Sequence, residues 1–133
     1  MYDWSSQTLT KKASGNVEKY CFFALVKFGS FLYSLTCCEN FDKGEEYDIE
    51  KDVWVEFDYP RGKSSSAVVV GKYIYYTAFC LNGLQRLNPR SKKVRSIALS
   101  TPLNENSHKV LTSFNGSFII TQNFTLLSPL KIL

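Results

Sequence analysis

Residues that form helices cheaply are scarce in this 133-residue chain, with five alanines and one methionine against 43 Val, Ile, Thr, Phe, Tyr and Trp. That imbalance points to an all-β protein. One histidine, His108, leaves no pair of imidazoles for a metal site, and Cys21, Cys37, Cys38 and Cys80 contain no C-x-x-C spacing. Neighbouring Cys37 and Cys38 would point to opposite faces of a strand, so free thiols in a reducing compartment are expected. No apolar run exceeds about six residues, far short of the roughly twenty that a membrane helix needs. The first twenty residues are polar and lack an apolar h-region, so a cytoplasmic setting without membrane contact is expected. No G-x-S-x-G elbow, H-E-x-x-H helix or Gly-rich phosphate loop occurs. His108 falls in a polar loop, and Glu45, Glu46, Asp48, Glu50 and Asp52 crowd one turn-rich stretch that solvent alone would favour. The expectation is a protein that is not an enzyme and holds no cofactor or metal.

Charge is modest in sum and uneven in place. Sixteen basic and twelve acidic groups leave +4, too little to imply nucleic acid on its own. Nine of the twelve acids lie between Glu39 and Asp58, whereas 59–104 holds eight Lys or Arg and no acid. Such segregation reads as complementary faces of adjacent structural units.

Internal repetition organises the rest. Segments 24–36, 67–77 and 110–121 each place a glycine (Gly29, Gly71, Gly116) between two apolar strands, and the glycines are 42 and 45 residues apart. A tight hairpin needs positive φ at such a point. Between these hairpins recurs an apolar residue followed by Asp or Asn, with another apolar residue six positions beyond: Tyr47-Asp48 to Trp54, Leu87-Asn88 to Val94, and Tyr2-Asp3 to Leu9. Asp and Asn open turns by accepting hydrogen bonds from their own downstream backbone. Each period then holds four short strands, at 22–27, 31–36, 45–49 and 53–57, and again at 66–70, 73–77, 84–88 and 94–98. Ser64-Ser65-Ser66, after Arg61-Gly62-Lys63, reads as the connection between the two periods. Phe31-Leu32-Tyr33 and Tyr73-Ile74-Tyr75-Tyr76 are apolar on both faces, which requires cover on both sides.

Tyr47-Asp48-x5-Trp54, then Tyr59-Pro60-Arg61 and the strand pair 67–75, resembles kelch repeats. In that family's pattern a Gly-Gly doublet ends the second strand, where this chain has Cys37-Cys38, Ala78-Phe79 and Gln122-Asn123. The resemblance implies a partial β-propeller with a half blade at 1–19, blades at 20–60 and 61–103, and a half blade at 104–133 that supplies two strands. Closed propellers typically have four to eight blades. Two copies supplying six, with strands 110–121 completing the half blade 2–10 of a partner, are one expectation; a fragment of a larger propeller is another.

Kelch-like propellers commonly serve as non-catalytic protein-interaction modules, so a protein or peptide partner is expected at the inter-strand and inter-blade loops. Phe41, Arg61, Lys63, Phe79 and Asn82 are the candidate contacts there. A nucleic-acid or phosphate-binding β domain, using Arg86, Arg90, Lys92, Lys93 and Arg95, is the alternative. No aromatic lies in the run 90–95, although single-strand binders interleave basic and stacking residues.

Overall fold

A computed structural model describes residues 1–3, 5–9, 12–14, 23–36, 43–58, 64–78, 84–99, 109–122 and 130–132. A short hairpin, β1 (Tyr2–Asp3) and β2 (Thr8–Leu9), is followed by three antiparallel sheets. The first contains β3 (Phe23–Phe28), β4 (Phe31–Thr36), β5 (Lys43–Asp48) and β6 (Val53–Asp58). The second contains β7 (Ser64–Val70), β8 (Tyr73–Ala78), β9 (Leu84–Leu87) and β10 (Val94–Ile97). The third contains β11 (Lys109–Phe114), β12 (Ser117–Gln122) and β13 (Leu130–Ile132). Every strand pairs with its sequence neighbour, and no helix occurs among the described residues. The fold is all-β, as the composition implies.

Local chemistry explains the period. Gly29 (φ 61°) and Gly71 (φ 60°) each take the first place of a two-residue loop, between the pairs Phe28–Phe31 and Val70–Tyr73. Left-handed backbone at that place suits a residue without Cβ. In the third unit, Asn115 (φ 48°) and Gly116 (φ 74°) fill the loop between Phe114 and Ser117. Asn115, not Gly116, is therefore the positional equivalent of Gly29 and Gly71. Alignment on glycine alone puts this unit one residue out of step, because an Asn-Gly turn carries its glycine second.

The other landmark recurs in three copies. Asp3 Oδ1 accepts the Ser5 N–H at 2.9 Å, Asp48 Oδ1 accepts those of Glu50 and Lys51 at 3.0 Å, and Asn88 Oδ1 accepts that of Arg90 at 3.0 Å. Tyr2 then stands opposite Leu9, Tyr47 opposite Trp54, and Leu87 opposite Val94. Four residues after each Asp or Asn the backbone is left-handed, at Gln7 (φ 53°), Asp52 (φ 57°) and Lys92 (φ 59°). No glycine marks this place, so the pattern of residue types does not disclose it.

The sheets lie face against face in sequence order. Ala24, Tyr33, Leu35 and Phe57 of the first meet Ile74, Tyr76 and Leu87 of the second in one core. Leu84 of the second meets Leu111, Phe118 and Ile120 of the third in another, with the Tyr75 and Phe118 rings 4.4 Å apart. The second sheet is covered on both faces, which accounts for its doubly apolar strands. Removing a side chain such as Ile74 or Leu87 from water contributes about 1.5–3 kcal/mol. The first strands of successive sheets adjoin, β3 beside β7 and β7 beside β11. Ser66 fastens the second junction: its Oγ accepts the Leu111 N–H at 3.0 Å and donates to the Leu111 carbonyl at 3.2 Å.

Two sequence expectations need correction. The serines 64–66 belong to β7 rather than to a connection, with a bulge between Ser64 and Ser66 that shifts the register by one. The last unit has three strands, not two. β13 places Ile132 opposite Phe118 and Leu130 opposite Ile120, and so occupies the β12 edge that the hairpin of a second copy would have needed. Three residues are too few to show a period-2 pattern.

Candidate functional site

A cleft of about 420 Å³ opens between the first two sheets, lined by Phe28, Gly29, Ser30, Phe31, Tyr33, Glu46, Pro89, Arg90 and Lys92. One wall is the β3–β4 hairpin. Phe28 and Phe31 close its loop as directly opposed residues, and Tyr33 and Glu46 lie one step along on the same face. The other wall is the β9–β10 turn, whose backbone is pinned by Asn88 and whose Pro89 is buried.

The left-handed backbone at Lys92 sends its side chain across to the first sheet. Its ammonium donates to Glu46 Oε2 and to the Pro89 carbonyl, and lies 3.5 Å from the Tyr33 hydroxyl. It also sits over two rings of the first sheet, 4.9 Å from the Tyr33 centroid and 5.4 Å from that of Phe57. Tyr33 donates its hydroxyl hydrogen to the same Glu46 oxygen. This cluster joins the acid-rich and the basic segments across a sheet boundary, the complementarity that their segregation implied. The equivalent residue in the preceding turn, Asp52, also reaches back. Its carboxylate accepts the Ala13 N–H at 2.9 Å and the Tyr47 hydroxyl at 2.5 Å, while Trp54 Nε1 donates to the Ala13 carbonyl at 2.8 Å.

Lys92 is thus neutralised, whereas Arg90 on the rim is exposed and its guanidinium has no partner among the described residues. The cleft therefore combines an aromatic floor at Phe28 and Phe31 with one available cation. It suits an apolar side chain beside a carboxylate, which Arg can hold through two parallel hydrogen bonds. Among the described residues no group of His, Cys, Asp or Glu is arranged to hold a metal.

The five basic residues singled out for phosphate do not converge. Arg86 and Arg95 are directly opposed on one face of the second sheet, with Arg86 stacked 4.3 Å from the Tyr73 centroid. Lys92 is drawn to the opposite face by Glu46, Lys93 is exposed beyond the turn, and Arg90 is at the cleft. The loop candidates Phe41, Arg61, Lys63, Phe79 and Asn82 lie outside the described residues, as do His108 and the four cysteines. Sequence reasoning passed over Phe28, Phe31, Tyr33 and Glu46. The available signal was the pair of phenylalanines bracketing Gly29-Ser30.

Titration should expose the phenols bonded to Glu46 and to Asp52. Burial, with the hydrogen bond and charge of Glu46, pushes Tyr33 above the ordinary phenol range. The hydrogen bond to Asp52, then burial and the nearby carboxylates, push Tyr47 up to about 12. The folded chain holds protons that the unfolded chain releases near pH 10, so this stabilisation is intact below about pH 10 and is lost as pH rises through about 12. The acid side has the opposite sign. Asp52 is lowered by the Tyr47 hydroxyl and the Ala13 N–H, and Asp3 is held at about 2 by the Ser5 and Ser6 hydroxyls. Their contribution is present above about pH 4 and is lost as pH falls, through about 2 for Asp3. In a tyrosinate absorbance titration, a fraction of the eight tyrosines should ionise late and together with alkaline unfolding. Uniform ionisation near pH 10 would contradict these environments.

No family model matches the chain, and no curated protein does. Solved structures do. One is the extracellular domain of the one-component system BT4673 from B. thetaiotaomicron, with a TM-score of 0.56, 17% identity, and coverage of 80% of this chain and 14% of that one. Another, described as the extracellular domain of the hybrid two-component system BT4673 from the same organism, has a TM-score of 0.56, 18% identity, and coverage of 81% and 14%. At that identity the likeness is one of fold. The chain spans about a seventh of the length of either structure.

Proposed function

We propose that this chain is a segment of a kelch-like β-propeller, its four-stranded sheets serving as blades, and that it acts as a non-catalytic protein-interaction module. Its partner is a peptide segment that lays an apolar side chain on Phe28 and Phe31 and offers a carboxylate to Arg90. The observation that carries this reading is the inter-sheet cleft, in which Lys92 is committed to Glu46 while Arg90 is not. A volume of about 420 Å³ falls in the range of pockets that take small ligands or anchoring side chains. Rigid sheets that carry the site on their turns suit recognition of a partner.

Peptides selected from a displayed random library, then titrated calorimetrically, test this directly. The selected sequences should pair an acidic with an aromatic or aliphatic residue. Arg90→Ala and Phe31→Ala should each weaken binding by about tenfold or more, in line with the roughly 2 kcal/mol typical of a hot-spot anchor. Selection of no peptide, or of peptides indifferent to both substitutions, overturns the reading. Steep loss of affinity with salt and a preference for oligonucleotides would favour the phosphate-binding alternative.

A further inference from the structure

The second sheet repeats one wall of the cleft with its charge inverted. Counting from the hairpin loops, Lys72, Tyr73, Arg86 and Arg95 hold the places on the second sheet that Ser30, Phe31, Glu46 and Val55 hold on the first. Where the first sheet offers Glu46 to Lys92, the second offers a guanidinium. Arg86 is half-buried, stands directly opposite Arg95 and lies 4.3 Å from the Tyr73 centroid, and the Lys72 ammonium lies 5.6 Å from the same ring. Like charges directly opposed on two strands destabilise a sheet, and neither guanidinium meets an acid among the described residues. The sequence supplies hardly any: from Tyr59 onward ten Lys and Arg stand against a single acid, Glu105. The openness of the patch belongs to its position in the unit. Val55 is 55% exposed, and Ser30 is exposed as well, although the second sheet stacks on the first.

We propose that Arg86 and Arg95, with Lys72 beside them, form a binding site for a phosphate group, either free or borne by a phosphorylated side chain. A phosphate monoester brings about two negative charges and three acceptor oxygens, which answer both guanidiniums at once. A guanidinium is a planar fork that holds phosphate oxygens through parallel hydrogen bonds, and stacking on Tyr73 fixes the plane of Arg86. Binding relieves the repulsion that the opposed arginines otherwise impose on β9 and β10. A carboxylate brings one charge and leaves the second arginine unanswered. A nucleic-acid strand needs a track of cations, whereas Arg90 and Lys92 are turned to the cleft and leave this patch a single compact spot. The site is separate from the cleft that takes the peptide and stands or falls without it.

Titration of the full chain with inorganic phosphate, followed through the guanidinium Nε–H resonances by NMR, tests the site. Two guanidinium signals should shift together and saturate at millimolar phosphate. Arg86→Gln and Arg95→Gln should each weaken binding by about tenfold, the effect of removing one charge-assisted hydrogen bond. Arg95→Glu gives Arg86 an anionic neighbour, so it should abolish phosphate binding while raising the urea midpoint, which separates loss of the site from loss of the fold. Lys93→Glu makes the same change in net charge at an exposed place beyond the turn and should leave the affinity unaltered. Tighter binding of phenyl phosphate than of inorganic phosphate would support a phosphorylated side chain as the source, and weaker binding the free ion. No saturable shift, or an equal loss in Lys93→Glu, overturns the proposal. So does displacement by acetate at equal concentration, or affinity for an oligonucleotide that grows with its length.

Discussion

Gly44→Ala is expected to destabilise the chain by about 2–3 kcal/mol, the upper part of the roughly 1–3 kcal/mol that overpacking a closed core costs. A Cβ on Gly44 would lie 2.5 Å from Phe57 Cζ and 2.9 Å from Cε2, inside any tolerable contact. The two residues are directly opposed across β5 and β6, with the ring of Phe57 laid over the glycine. That ring has nowhere to go. It is 8% exposed, meets the Tyr33 ring edge-on at 6.1 Å, and carries the Lys92 ammonium 5.4 Å from its centroid. Trimming the obstacle should reveal the cause: Gly44→Ala combined with Phe57→Val should cost less than the two single losses added. Urea unfolding followed by tryptophan fluorescence measures all three. Strict additivity would show that the glycine is needed for some reason other than the ring.

Glu46→Ala should produce the second large loss, about 2 kcal/mol. Removing one member of a fully buried pair typically costs 3–5 kcal/mol and an exposed pair contributes under about 1. The side chains here are 20% exposed at Glu46 and 28% at Lys92, which places them between those limits. The variant strands the Lys92 ammonium between two rings and deprives the Tyr33 hydroxyl of its acceptor. Lys92→Met should cost less, since Glu46 keeps its bond from Tyr33 and the thioether stem still covers Phe57. The double variant should show a coupling of about 1 kcal/mol or more, as contacting residues do. Zero coupling would mean that the two sheets are held by apolar contact alone.

The parts of this fold legible in the sequence are those encoded by chemistry within a few residues. Asp3, Asp48 and Asn88 announce their turns because a short side-chain oxygen can reach only its own downstream backbone. Gly29 and Gly71 announce theirs because few other residues accept the left-handed region cheaply. With both ends of a hairpin marked, strands such as Phe31–Thr36 and Val94–Ile97 follow within a residue. What escaped depends on partners far along the chain. Glu46 and Lys92 are 46 residues apart, and Ser66 and Leu111 are 45 apart. Segregated charge implied that adjacent units would attract, but it named no pair. The left-handed place held by Gln7, Asp52 and Lys92 escaped for a different reason. Three dissimilar residues accept strain there, and at two of them the side chain is fixed by the neighbouring unit. The cleft was partly legible, since Arg90 and Lys92 stood out as basic, although as a group of five that the sheet divides between its faces.

Face-to-face stacking of the three sheets in sequence order is the claim on which the cleft and the Glu46–Lys92 pairing depend. Nuclear Overhauser contacts in a selectively methyl-labelled sample, with aromatic rings protonated, test it most directly. The expected contacts join Leu35 to Ile74 and Leu87 across the first boundary, and Leu84 to Leu111 and Ile120 across the second. A spectrum in which hairpin contacts within each sheet persist while both sets of cross-sheet contacts are missing would contradict it.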